Sequence, residues 1–320
     1  MTKSHIIIIS PASAKANNGN WQTASRWAHF LRTHYRVTVM TQWNGTPCDL
    51  MIALHARRSA VSIAAFAATH PALPLVLVLT GTDLYRDIRH DADAQRSLQL
   101  ATRLIVLQQA GLDELAPPLR NKAQAIHQSA RQLTALDRAA AAKYFDVVMI
   151  GHLRDEKDPL TFMRAAPLLA SPSIRLWQIG AALAPALRQQ AELTQAQQPC
   201  YRWLGNMAHG ATRQRLKRSQ LMVIPSIMEG GANVIIEAVT SGVPVLASDI
   251  SGNRGMLGDD YAGYFPVGDS PALAALIGRA QADPAYYARL QQQCAARAPL
   301  FSPQRERAAL CQLVDNLLTQ

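Results

Sequence analysis

The chain has 320 residues, of which 49% are hydrophobic and 17% charged, a globular composition that excludes a low-complexity or disordered chain. Its 32 Lys plus Arg against 22 Asp plus Glu leave a formal charge of +10, which points to anionic ligands such as nucleotides, phosphorylated small molecules, anionic lipid or nucleic acid. Nucleic acid is the weakest of these, because the basic residues are dispersed and no RNP, zinc-finger or helix-turn-helix pattern gathers them.

The longest apolar runs, Ile6 to Ile9 and Leu73 to Leu79, fall short of the roughly 18 residues needed to cross a bilayer and read as buried strands. The N-terminal segment has Lys3 and a short Ile run but turns polar from Ser13 to Asn20, so the order of a secretory signal is missing. A cytoplasmic location is expected, with the membrane an unlikely partner. Cys48, Cys200, Cys294 and Cys311 are scattered without CxxC or Cys/His spacing, which predicts reduced packing residues rather than disulfides or a zinc site.

In chain order, strand-like runs alternate with segments of helical period, the pattern of parallel βαβ units. The first half gives a strand over Ile6 to Ser10, a loop, a helix from about Trp21 to His34, and strands over Arg36 to Met40 and Leu50 to Leu54. A helix through Ile63 and Phe66 follows, then strands over Leu75 to Leu79 and Leu104 to Leu107. An Ala-rich stretch from Leu133 to Tyr144 reads as helical, and the strand pattern restarts beyond it. The second half gives strands over Val147 to Ile150, Arg175 to Ile179, Cys200 to Leu204, Leu221 to Ile224, Val243 to Ala247 and Ala262 to Phe265. From Pro271 onward the chain is helical by period. These runs predict an α/β protein with two Rossmann-like parallel-sheet domains, 1–140 and 141–300, and a C-terminal helix, 301–320, that could pack back on the first. Since parallel sheets bind ligands at the carboxyl ends of their strands, functional loops of both domains are expected to face a common cleft. Length is consistent with two domains of about 150 residues.

The most informative segment runs from Ile224 to Ser248. A buried strand ends at Pro225, Gly230 and Gly231 follow, and a helix starts near Ala232. The free N–H groups and positive dipole end of such a helix receive phosphate, and glycines allow close backbone approach. Glu237 lies eight residues after Glu229, about two helical turns on, where it can reach a ribose. For two isolated glutamates a surface charge and a helix cap are the ordinary reading, but the strand–glycine–helix context favours a ligand site.

This segment resembles the E-x7-E signature of GT-B glycosyltransferases, particularly the retaining group 4 enzymes, and Gly242-Val243-Pro244-Val245 matches their usual strand entry. The resemblance implies that Glu229 lies by the transferred sugar, that the amides of Gly230, Gly231, Ala232 and Asn233 serve sugar and diphosphate, and that Glu237 holds the ribose. Gly151-His152-Leu153-Arg154-Asp155-Glu156-Lys157 is similar to the family's Gly-Arg-Leu segment and downstream lysine. Lys157 takes the place of the phosphate-binding lysine, while His152 replaces the usual arginine, so the second cation would be Arg154. Two cations on a diphosphate would stabilise the charge of the departing leaving group; an ordinary solvated turn is the alternative. Leu204 and Gly205 fall where such enzymes hold the base. No Asp-x-Asp metal motif of the GT-A kind is recognised, so neither a metal nor a further cofactor is expected besides the UDP-sugar donor.

On the acceptor side, Lys15, Asn18, Gly19 and Asn20 follow the first strand. Arg57 and Arg58 follow another, where they are either a surface pair or a clamp for a phosphate-like acceptor. Thr80, Gly81, Thr82 and Asp83 resemble the group 4 His-Gly-x-Asp stretch with Thr80 replacing the histidine, leaving His55 or Asp83 as the only evident bases. Together these loops and Gly151 to Pro159 resemble the selenosugar synthases of selenoneine biosynthesis. That resemblance implies sugar transfer, with N-acetylglucosamine the expected sugar, from a UDP-sugar to selenophosphate. A selenolate is already nucleophilic at neutral pH and needs no base. The alternatives are a group 4 enzyme acting on a lipid or saccharide hydroxyl, and a non-catalytic nucleotide-sugar-binding protein. The oligomeric state is not readable from the sequence.

Overall fold

The computed structural model describes residues 3–12, 19–133 and 143–319, which form two compact units. The first comprises Met1–Ser129, Glu229–Gly231 and Phe301–Gln320; the second comprises Ala130–Met228 and Ala232–Leu300. The expected helix over Leu133 to Tyr144 falls almost wholly outside the described residues.

In the first unit, β1 (His5–Ile9), β2 (Arg36–Met40), β3 (Leu50–Leu54), β4 (Leu75–Leu79), β5 (Arg103–Val106) and β6 (Ala123–Ala125) form one sheet in the order β2-β1-β3-β4-β5-β6. Every neighbouring pair is parallel. β1, β3 and β4 are buried along their whole length, as strands covered on both faces must be, which is why they read as unbroken apolar runs. Alternate residues feed two cores. Ile7, Ile9, Met51, Ala53, Leu77 and Leu79 pack with Ile63 and Phe66 of the helix Ala60–Thr69 and with Ala94 and Leu98 of the helix Ala92–Leu100. Ile6, Ile8, Ile52, Leu54, Val76 and Val78 pack with Trp27 and Leu31 of the helix Gly19–Leu31. They also meet Leu310, Leu313, Val314 and Leu317 of the C-terminal helix Pro303–Leu318.

The second unit holds β7 (Phe145–Ile150), β8 (Ile174–Ile179), β9 (Tyr201–Trp203), β10 (Leu221–Ile224), β11 (Val245–Ser248) and β12 (Tyr264–Phe265) in the order β12-β11-β10-β7-β8-β9, again parallel throughout. Counted from β7, this is the dinucleotide-binding strand order, whereas the first sheet has the flavodoxin-like order extended by one strand. Strand order reverses between β7 and β10 in one sheet and between β1 and β3 in the other. At such points the loops leaving two adjacent strands diverge to opposite faces and open a crevice for ligand. The loops so placed are those after Ile150 and Ile224, and those after Ile9 and Leu54.

Candidate functional site

In the second unit, the loop after β7 turns immediately at Gly151 and runs past Arg154 into a tight turn, Asp155–Lys157. Gly180, after β8, has φ +150, and a Cβ there would lie 2.0 Å from the Gly151 carbonyl oxygen. Bare backbone at this position lets the two loops touch. The stem of Lys157 lies over Gly151, where a Cβ would sit 3.5 Å from its Cγ and Cδ. The loop after β10 joins this cluster through the Ile227 amide, which donates to the Glu156 carbonyl at 3.1 Å. Lys157, Arg154 and the descending loop of β10 are thus held on one crevice of the second sheet.

His152, in the place where an arginine was looked for, carries no charge to this crevice. Burial first, and then Arg154 and Lys157, push its imidazole below the usual range, and its Nδ1 accepts the Ala181 amide at 3.1 Å. It anchors the loop after β8. Arg154 is part-exposed, with its nearest acid, Glu156, at 3.9 Å, so the cation of this turn remains Arg154 together with Lys157.

The helix expected near Ala232 runs over Asn233–Thr240, with Ala232 in extended conformation at its N-cap. It stops at Ser241, and Gly242 adopts φ +68, so the first glycine of Gly-Val-Pro-Val ends the helix in the left-handed region where side chains are disfavoured. Val245, not Val243, opens β11, because Pro244 has no amide to give the ladder. Glu229 and Glu237 are both buried, at 8% and 7% exposure, which rules out the reading of Glu237 as a free surface charge. The Glu237 carboxylate is met by a residue that the sequence reading missed: His209 Nε2 lies 2.6 Å from its Oε1. That bond is the first cause raising the His209 imidazole above its usual range.

Gly230 and Gly231 belong with the first unit. A Cβ on Gly230 would meet Gly81 Cα and N at 2.6 Å, and one on Gly231 would meet Leu107 Cβ at 2.6 Å. The glycine pair is therefore required by backbone packing. Leu204 and Gly205 follow β9, where Leu204 donates its amide to Gln178, Gly205 has φ +66 and accepts the Gly180 amide at 2.8 Å, and Trp203 Nε1 donates to the Gly180 carbonyl at 2.9 Å. Leu204 and Leu183, on the loops after β9 and β8, stay exposed at 37% and 60%, an apolar margin to the crevice.

In the first unit, Lys15 and Asn18 lie outside the described residues, and Gly19 and Asn20 open the helix Gly19–Leu31. The loops after β3 and β4 form one polar cluster. Asp83 is fully buried, and both its oxygens are taken: Oδ1 by the amides of Thr80 and Gly81 at 2.9 and 2.8 Å, Oδ2 by the amide of Ala56 at 2.9 Å. His55 is 2% exposed and holds φ +74, a conformation that costs a non-glycine residue about 1 kcal/mol or more and is retained where the surroundings enforce it. Its Nδ1 accepts the Arg58 amide at 3.3 Å, leaving Nε2–H for Thr82 Oγ1 at 3.1 Å; burial pushes this imidazole down. Arg57 and Arg58 are both exposed, and Arg57 gives its Nε to Asp87 Oδ2 at 2.8 Å. The turn that carries Asp83 to Asp87 is π-helical, a geometry frequent at functional sites.

The chain does contain one Asp-x-Asp triplet, Asp91-Ala92-Asp93, which the sequence reading passed over. Asp91 caps the helix Ala92–Leu100 by accepting the Ala94 amide at 2.8 Å. Among the described residues no group of three or more His, Cys, Asp or Glu is placed to hold a metal ion, and no helix is long and apolar enough to cross a membrane.

Residues 144–283 match the family model described as Glycosyl transferases group 1. Comparison with curated protein sequences gives no match. Among solved structures, sucrose-phosphate synthase from Thermosynechococcus elongatus superposes with a TM-score of 0.79 at 17% identity, over 99% of this chain and 100% of that one. HepE from Anabaena, in complex with UDP and glucose, gives 0.71 at 17% identity over 99% of each chain. The pneumococcal O-GlcNAc transferase GtfA, in complex with UDP and GlcNAc, gives 0.65 at 17% identity over 85% of this chain and 57% of its own. The fold is GT-B.

Proposed function

We propose that this protein is a UDP-sugar-dependent glycosyltransferase of the selenosugar synthase type, transferring N-acetylglucosamine to selenophosphate. In this reading Glu237 holds the ribose, Leu204 and Gly205 border the base, the amides of Gly230 to Asn233 receive sugar and diphosphate, and Glu229 lies by the sugar. Lys157 and Arg154 face the diphosphate. As selenium bonds to the anomeric carbon, the bond from that carbon to the UDP oxygen breaks and UDP leaves with the electron pair, its new charge met by those cations. Support for the donor half comes from the match to the group 1 family model and from relatives of the same fold whose solved complexes contain UDP and a sugar.

The choice of acceptor rests on one observation, the state of the bases on the loops after β3 and β4. Asp83 has both oxygens occupied by backbone amides, and His55 is buried with both ring nitrogens engaged. A hydroxyl acceptor needs a group to take its proton as it attacks. A selenolate does not, and a small polyanion suits the arginines Arg57 and Arg58, with Lys15 and the loop residues Asn18, Gly19, Asn20, Thr80, Gly81 and Thr82 as further contacts.

The test is incubation with UDP-N-acetylglucosamine and either selenophosphate or a panel of alcohols and saccharides, with mass spectrometry of the products. A selenium-containing sugar formed only with selenophosphate is expected. UDP release with alcohols alone would replace this reading with an ordinary group 4 transferase, and tight nucleotide binding without turnover would make the protein a binder.

A further inference from the structure

Glu237 is the fifth of the eight residues of the helix Asn233–Thr240, on a side chain that could adopt several rotamers, yet its Oε1 is fixed by a contact from a different element. His209 is the first residue of the helix His209–Arg218, and its Nε2 stands 2.6 Å from Glu237 Oε1. The helix bearing His209 is packed through the buried Thr212 and Leu216, and Thr212 closes its first turn by giving both its amide and its hydroxyl to the Ala208 carbonyl, at 2.9 and 3.1 Å. The imidazole is half-exposed while the carboxylate is buried, so the pair is open on one side only. His209 takes up one oxygen of the carboxylate, and a carboxylate has acceptor capacity left for further donors.

We infer that His209 is a positioning residue for nucleotide recognition: it locks the Glu237 carboxylate in the rotamer that accepts the vicinal hydroxyl protons of a ribose. This rests on the proposed role of Glu237. A carboxylate that must receive two hydroxyls at once has to be held within a few tenths of an ångström, and a donor from a second rigid element is the means by which binding residues are usually fixed. The groups that face the imidazole are Glu237, which favours its charged form, and Arg213 on its own helix, which disfavours it. The carboxylate is the group hydrogen-bonded to the imidazole and favours its protonated form, and a charge-assisted bond of this kind is the stronger class of such contacts.

The alternative to positioning is obstruction, in which His209 sits in the place of the ribose and must leave before nucleotide binds. The two predict opposite signs. Calorimetric titration of the full chain with UDP distinguishes them, with uridine as a probe that lacks the diphosphate. His209→Ala is expected to weaken UDP and uridine binding by on the order of tenfold, the size of a lost charge-assisted bond. His209→Gln places an amide donor near the former Nε2 and should bring affinity back to within a few-fold of wild type. In a Glu237→Gln background, His209→Ala should add little, because the group it orients is already altered. Unchanged or tighter binding in His209→Ala would overturn the inference, as would failure of His209→Gln to restore affinity in a protein that melts like wild type. Glu237→Ala tests the underlying reading separately: if it leaves UDP affinity intact, Glu237 is not a ribose ligand, whereas if it abolishes binding and His209→Ala does nothing, only the positioning role falls.

Discussion

Lys157 sits at the end of a tight turn with its stem laid over Gly151 and the loops after β8 and β10 closing around the same turn. A cation so fixed costs no reorganisation when charge builds on a leaving group, and its removal should be felt in the transition state more than in the ground state. Lys157→Ala is expected to lower kcat by roughly a hundredfold while changing UDP affinity only a few-fold; steady-state kinetics paired with UDP titration would show the split. His152 cannot compensate, because burial keeps its imidazole neutral and its Nδ1 is already accepting the Ala181 amide. His209 behaves in the opposite sense. Its folded-state value is raised by the Glu237 bond, so the stability that the ionised pair contributes is fully present below the ordinary imidazole range and fades as pH rises through the raised value. Because the imidazole is half-exposed the effect is small, under about 1 kcal/mol. Urea midpoints of wild type and His209→Gln, compared from about pH 6 to about pH 9, should differ most at the acid end and converge at the alkaline end. A gap that widens with pH would show that protonation opposes the pair.

At the level of loops and helices, the strands were legible wherever both faces are buried, because a parallel strand so placed is written as an unbroken run of Ile, Val and Leu: β1, β3, β4 and β10 are the examples. β6, which is Ala-Gln-Ala at the sheet edge, carries no such signal and was not foreseen. The Glu229–Glu237 spacing and the glycine pair could be read because they are local. The partner of Glu237 could not: His209 is 28 residues earlier, on the preceding helix with the strand Leu221–Ile224 between them, and nothing in the sequence around it differs from an ordinary helix start. The left-handed His55 was equally hidden, since histidine does not announce that conformation as glycine does. Gly180 belongs to the same class of element-scale requirement. It sits at φ +150 with the Gly151 carbonyl where its side chain would be, so Gly180→Ala has no rotamer to escape into and must push the loops after β7 and β8 apart. We expect a loss of more than about 2 kcal/mol, near the upper range for single substitutions, accompanied by weaker nucleotide binding because the Lys157 turn moves with Gly151. Thermal denaturation with UDP titration on the same sample checks both; a variant as stable as wild type would mean that the two loops are free to separate.

Over the whole molecule, the chain builds its first sheet from residues before Ser129 and returns at Phe301 to finish the same unit. The returning helix Pro303–Leu318 buries Leu310, Leu313, Val314 and Leu317 against the face of the sheet that Trp27 and Leu31 also cover, so without it that core would lie open. The apolar stripe alone would permit the helix to slide by a turn. Register is supplied by Glu306, which is 1% exposed: Arg26 Nε donates to its Oε2 at 2.8 Å, Trp27 Nε1 to its Oε1 at 2.7 Å and Ser129 Oγ to its Oε2 at 2.5 Å. Three donors from two separate segments of the first unit converge on a single carboxylate, and none of them has an equivalent acceptor one turn away. Removing the carboxylate leaves the buried indole N–H and hydroxyl without their acceptor, although Arg26, part-exposed, can turn to water. Glu306→Ala should therefore cost about 2–4 kcal/mol, between the price of an orphaned buried donor and that of a broken buried ion pair. Glu306→Gln keeps an acceptor for Trp27 and should lose less. The readout is the urea-unfolding free energy together with near-ultraviolet circular dichroism of Trp27's environment. If Glu306→Ala unfolds like wild type, the apolar stripe by itself fixes the helix, and the carboxylate has no part in closing the first unit.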